Sequence, residues 1–355
     1  MKSIPHISLS FLTSMFISFS VSAETYYYWG DATNGNMPIF PASAWSSSSS
    51  EYVAIPENAN VNSPDANWVF DYNAHLPTAA RKEGIYFNIA NQSFLNIASL
   101  SIINFNYAST DYISGGSTVS GADAKTLFIS NSTNAYWSIG EFTFTGGSSN
   151  KMLVLGSARQ NVNQPEVTLG TVNIGSEGAY AEIQIGGDAA GVCKMTQGDN
   201  IGQDVTMQES ACMKYLTVTG DFNIYGNSIV GLNVWNEDTS ALHSENSPDI
   251  LVGGVVRMTA SSDGKLPTLN LLNRVGTISW SATKPAPGAT NTFVKIGGLD
   301  GRGNLSNQSR TLDASTVKLI FTNKEDCDFS GTFTENRSST IKTVMSVKMA
   351  GENGK

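Results

Sequence analysis

The residues best suited to chemistry are acidic, with a cation close by. The candidates are Asp199 with Asp204, Asp221, Asp249 with Arg257, and Glu325, Asp326 and Asp328 near Lys324. Two carboxylates beside a cation can break a sugar linkage. One protonates the leaving group, the other acts as base, and the cation steadies developing negative charge. On stacked strands such groups would line a groove suited to a polysaccharide lyase or hydrolase. The same residues also read as turn formers, because most stand beside Gly or Asn, where an Asp side chain bonds its own backbone.

Other chemistries find less support. Of the three histidines, His6 lies in the leader, while His75 and His243 sit in no metal-binding or nucleophile motif and read as loop residues. Cys193, Cys212 and Cys327 make an odd count. Cys193 and Cys212 could pair in an oxidising compartment and leave Cys327 free, or all three could be plain thiols. The phrases Gly186-Gly187-Asp188 and Gly297-Gly298-Leu299-Asp300-Gly301 contain pieces of a calcium turn with the wrong spacing. No catalytic, cofactor-binding or metal-ligating residue is therefore assigned. Asn91, Asn131, Asn304, Asn307 and Asn336 open Asn-x-Ser/Thr triplets, which an Asn- and Ser-rich chain also produces by chance.

The elements that must position these residues are strands. Short apolar/polar alternations recur in Ala135–Gly147, Leu169–Gly175, Glu182–Gly187, Leu216–Tyr225 and Ile250–Met258. Alternation sends every second side chain to one face. Many such runs with no helical segment between them predict a β-solenoid or another stacked β architecture. Similar phrases recur at irregular intervals on the order of 20 residues, as expected of single solenoid turns. The pairs Gly115-Gly116, Gly146-Gly147, Gly186-Gly187, Gly253-Gly254 and Gly297-Gly298 suit corners, or bulges inside strands. Lys284–Gly288 reads as a loop between coils.

The 355 residues include 40% apolar but only 14% charged side chains; Gly, Ser, Thr and Asn fill the gap. These suit turns and solvent-facing strand positions. A formal charge of −9 argues against a nucleic-acid partner, whose phosphates demand basic patches. Residues 1–23 read as a signal peptide. Lys2 is the positive start, Leu9–Val21 the apolar stretch, and Val21-Ser22-Ala23 the small-residue cleavage site before Glu24. The rival is an uncleaved anchor, for which the stretch is short and rich in serine. No later segment has the apolar length to span a membrane.

Residues 24–76 are rich in aromatics, with Tyr26, Tyr27, Tyr28, Trp29, Trp45 and Trp68 among them. They predict an N-terminal cap that covers the first coil, since an exposed strand edge recruits other chains. The rival is an aromatic platform stacking on sugars. The coils occupy 77–355. Thr343–Met349 reads as a last strand with only Ala350–Lys355 after it, which implies a longer protein or a shielded final turn.

Val317–Phe333, with Phe329-Ser330-Gly331-Thr332 in its turn, resembles the strand–turn–strand phrase of autotransporter-associated β-strand repeats. Phe293–Gly303 is similar to the Gly-Leu-x-Gly-x-Gly element of those proteins. Tyr28-Trp29-Gly30, Trp45, Asn67-Trp68 and Leu76-Pro77 resemble their start. The resemblance implies a right-handed parallel β-helix passenger, at a Gram-negative surface or released from it, with an adhesive or structural role. The chain departs from a full autotransporter in lacking the alternating, aromatic-ended strands of a C-terminal barrel. The expectation is thus an all-β, right-handed parallel β-helix with an aromatic-rich cap, extracellular or outer-membrane associated and not catalytic. Its partner would be a surface polysaccharide or a host-surface ligand. The alternatives are a carbohydrate-active β-helix enzyme and a lectin-like β-sandwich.

Overall fold

The computed structural model describes residues 23–29, 36–38, 42–71, 86–88, 94–105, 111–114, 117–120, 128–130, 136–146, 152–155, 166–177, 181–185, 215–232, 244–271, 291–307, 316–322, 325–335 and 344–349. The fold is almost all β and its sheets are mostly parallel. Among the described residues no helix is long and apolar enough to cross a membrane.

Numbered along the chain, the strands of the long sheet are β1 (Glu24–Tyr28), β4 (Ala66–Asp71), β6 (Phe94–Phe105), β10 (Tyr136–Gly146), β12 (Glu166–Ile174), β14 (Tyr215–Val218), β15 (Phe222–Tyr225), β17 (Ile250–Thr259), β19 (Asn291–Gly301), β21 (Thr316–Phe321) and β23 (Val344–Met349). All pair in parallel. A second parallel sheet holds β11 (Met152–Leu155), β13 (Glu182–Ile185), β16 (Ile229–Leu232), β18 (Thr268–Leu271), β20 (Asn304–Asn307) and β22 (Thr332–Glu335). A third holds β2 (Asn36–Pro38), β5 (Tyr86–Asn88) and β9 (Phe128–Ser130). The antiparallel pair β7 (Asp111–Ser114) and β8 (Ser117–Ser120) stands apart, with Gly115-Gly116 between its strands in the sequence.

Among the described residues from β9 onward, the chain visits the long sheet and then a short one in turn, with β14 and β15 together making one interrupted visit to the long sheet. Equivalent positions lie 25 residues apart between Asn291 and Thr316, and 50 apart between Asn173 and Asn223. The interval of about 20 expected from the sequence is too short, because it counts individual strand phrases rather than whole periods.

Register turns the alternation into columns. Leu95, Trp137, Val167, Leu216, Ile250, Val294 and Leu319 succeed one another from strand to strand. Ile97, Ile139, Leu169, Val218, Val252, Ile296 and Phe321 do the same two positions on. All are buried. In the second sheet Ile183, Val230, Leu269 and Leu305 form a matching buried column. Burying such a side chain stabilises by about 1.5–3 kcal/mol. A one-residue slip would turn every one of them outward.

A column of small residues, Ala98, Gly140, Gly170, Gly220, Gly254 and Gly297, crosses the long sheet. A β-carbon on Gly140 would meet the Ala98 carbonyl oxygen at 2.5 Å, one on Gly254 the Gly220 oxygen at 2.6 Å, and one on Gly297 the Gly254 oxygen at 2.2 Å. Side chains are excluded here because backbone packs on backbone. At this level β14 and β15 part, and the pairing of β17 with β19 shifts between Val252 and Val255. Gly253-Gly254 and Gly297-Gly298 thus lie inside β17 and β19, at a register shift, rather than at corners.

At one end of the long sheet β3 (Trp45–Ser46) pairs antiparallel with β1. Trp45 and Trp68 are fully buried, with ring centroids 5.0 Å apart, and Tyr28 stacks on Phe70 at 5.0 Å. The Trp68 indole N–H donates to the Val61 carbonyl at 2.6 Å. These rings cannot stack on a sugar; they fill the core, and the platform reading of Trp45 and Trp68 falls. Elsewhere the Phe329-Ser330-Gly331-Thr332 turn sits on the glycine-rich end of β19. Ser330 N–H donates to Gly301 O at 2.9 Å and Thr332 N–H to Gly303 O at 3.0 Å.

Candidate functional site

Among the described residues, two arrangements on the long sheet stand as candidate sites, apart from side-chain ladders such as that of Glu141, Asn173 and Asn223. The first is built on Arg257. Alternation in β17 points its side chain away from the core, in register with Asn223 on β15 and Asp300 on β19. Its Nε donates to Asp221 at 3.4 Å and its Nη1 to Asp300 at 3.1 Å, while Nη2 pairs with Glu325. The other oxygen of Asp221 accepts the Val255 N–H at 2.9 Å, and Asp300 accepts the Asp328 N–H at 3.0 Å. One guanidinium on β17 thus ties the β14–β15 junction, β19 and the segment that follows β21. Its hydrogen bond to Glu325 is the main influence holding Arg257 still further into the charged range. Cys327 lies beside this knot. Burial, and then the charges of Asp300 and Glu325, push its thiol pKa up, so it stays protonated at neutral pH.

The second arrangement is a groove of about 300 Å³. Its floor is a grid set by register. Tyr136, Glu166 and Tyr215 are neighbours on β10, β12 and β14, and Thr168 with Thr217 form the next outward column. Leu251 on β17 continues that column. The wall is the turn Ser244–Ser247, closed by hydrogen bonds between Ser244 and Ser247, with Asn246, Ser247 and Pro248 facing the groove. Tyr136 is 41% exposed, and its hydroxyl lies 3.3 Å from Thr168 Oγ1.

Asp249 secures that wall. It is buried, its carboxylate accepts the Phe293 N–H at 2.8 Å, and its backbone N–H donates to the Phe293 carbonyl at 2.9 Å. The pairing of Asp249 with Arg257 suggested by the sequence is therefore replaced by Asp221, Asp300 and Glu325. Asp249 extends the ladder across to Phe293 on β19 rather than bonding the backbone of its own turn.

Other sequence candidates separate cleanly. Asn304 donates its side-chain N–H to Thr268 Oγ1 at 3.5 Å and accepts from Thr332 at 2.6 Å, so its amide belongs to an inter-strand ladder. Asp199, Asp204, His75, His243, Lys324, Cys193, Cys212, Asn91, Asn131, Asn336, Gly186-Gly187-Asp188, Lys284–Gly288 and residues 1–22 lie outside the described residues, as does the side chain of Asn307. Cys327 is a free thiol. Among the described residues no three His, Cys, Asp or Glu side chains are arranged to hold a metal ion. Tyr136, Glu166 and Tyr215 were missed by sequence reasoning. Each occupies an outward position in a run whose inward half carries the periodic signal, and register alone makes them neighbours.

Comparison of the chain with protein-family models, with curated proteins and with solved structures finds no match.

Proposed function

We propose that this chain is an exported, right-handed parallel β-helix whose stacked periods present a long outward face for adhesion or assembly at a bacterial surface. The observation that carries the reading is the repeated return of β9 to β23, as far as they are described, between the long sheet and the short ones, with inward positions kept in register. A chain that climbs by repeating one period builds a broad face from local contacts alone. The leader-like residues 1–23 and the low-charge, hydroxyl-rich composition support export.

The test is expression of the full chain in a Gram-negative host, followed by protease treatment of intact cells. The expected result is loss of the protein while a cytoplasmic marker survives, with the exported form beginning at Glu24. A chain that keeps Met1 and stays protected until the cells are lysed would refute the reading.

A carbohydrate-cleaving role stands second, on the convergence of Asp221, Asp300 and Glu325 around Arg257. That arrangement suits a structural clamp better. Asp221 and Asp300 each give their second oxygen to a backbone N–H, and Arg257 already occupies the space between the carboxylates. Depolymerisation of a polysaccharide that Asp300→Asn abolishes, with the fold intact, would reverse the order.

A further inference from the structure

We propose that the groove over Tyr136, Glu166 and Tyr215 is a binding site for a neutral oligosaccharide lying across the strands. The argument starts from spacing. Adjacent strands lie about 4.8 Å apart, so Tyr136 and Tyr215, two strands apart in one column, stand roughly 10 Å from each other with Glu166 between them. A tyrosine offers an apolar ring face and a polar tip. A sugar offers apolar faces ringed by hydroxyls that both donate and accept. Two rings with a carboxylate between them, and threonine hydroxyls one column away, match that alternation of surfaces. Asn246 and Ser247 add amide and hydroxyl groups from the wall. The volume, about 300 Å³, stands at the lower end of small-molecule sites. That suits one or two sugar units, with the chain running out over the sheet at either side.

Rival occupants fit less well. A peptide gains affinity by pairing its backbone with a free strand edge, whereas this floor is a sheet face. The strands beneath it already pair with neighbours on both sides. An anionic polymer would meet Glu166 in the floor and a net charge of −9 around it. A neutral glycan avoids both difficulties.

The site does not depend on export, because binding is measured on the purified chain; failure here leaves the surface reading standing, and protected residence in the cell leaves this site standing. The experiment is calorimetric titration of the folded chain with short neutral glucans, galactans and N-acetylglucosamine oligomers, and with an anionic uronate polymer as the contrast. The expected result is saturable binding of at least one neutral series. Tyr136→Ala and Tyr215→Ala should each weaken it about tenfold or more, while Tyr136→Phe, which keeps the ring, should stay within about threefold. Thr217→Lys places a long side chain over the floor from a half-exposed position and should block binding with the circular dichroism unchanged. Phe333→Ala, at an exposed position on β22, should leave affinity unaltered. Absence of saturable binding to every neutral series, preference for the uronate polymer, or binding indifferent to Thr217→Lys would each overturn the proposal.

Discussion

The carbonyl oxygen of Gly140 lies 1.8 Å from where a β-carbon on Gly170 would stand. Backbone therefore packs directly on backbone where β10 and β12 meet at these glycines. Gly220, one strand further, is less confined, with its nearest neighbours at 3.0 and 3.1 Å. Gly170→Ala should cost about 3 kcal/mol or more, at the top of the range for overpacking, and Gly220→Ala about 1 kcal/mol. Urea midpoints of the two variants check the order; equal effects would mean this meeting is not the close contact described.

Arg257→Ala should lower stability by about 1 kcal/mol at low ionic strength. The side chains of the cluster are between 33% and 48% exposed, so each pair contributes only a fraction of that. Loss of the guanidinium also leaves three carboxylates facing one another. In about 1 M salt, where screening reaches down to about 3 Å, the difference between variant and parent should shrink. A denaturation difference that ignores salt would show that packing, not charge, makes the contribution.

The N-terminal aromatic cluster should be sensitive to alkali. Burial first, and then the neighbouring Glu24, raises the Tyr26 pKa to about 12, and burial raises that of Tyr28 as well. An unfolded tyrosine ionises near 10. The contribution is complete below that pH and is lost as pH climbs from about 10 to about 12, because the unfolded state ionises first. Tyrosinate absorbance and tryptophan emission followed together should show this end loosening in that window. Tyr26→Phe should flatten the response; an unchanged response would assign it elsewhere.

Register can be tested covalently. Ser101 and Thr143 face each other on β6 and β10. Paired parallel strands hold such α-carbons about 4.8 Å apart, within disulfide reach. Ser101→Cys with Thr143→Cys should crosslink on mild oxidation, whereas Ser101→Cys with Ser138→Cys should not. Mass spectrometry of the linked peptides reads the result.

Much of this fold was legible in outline. The alternating phrases around Trp137, Leu169, Ile183, Leu216 and Val252 all became strands, because inward Val, Ile, Leu and Phe leave a period-two signal. Pairing left no such mark. The partner of Glu166 is Tyr215, across residues whose number the alternation does not constrain. The charged knot was half legible. Asp221, Arg257 and Glu325 stood out as charged residues, but Asp300 was read only within a glycine phrase. Asp249 drew attention by nearness in sequence, although it sits at the opposite end of β17 from Arg257.

Transitive register makes the molecule subtractable. Because Trp137 meets Val167 and Val167 meets Leu216 in the same inward column, excising residues 166–214 would bring Trp137 onto Leu216 with the core pattern intact, and would leave the long sheet one strand narrower. The number of strands in the sheet then becomes a quantity that deletion can lower one at a time without changing which side chains face inward.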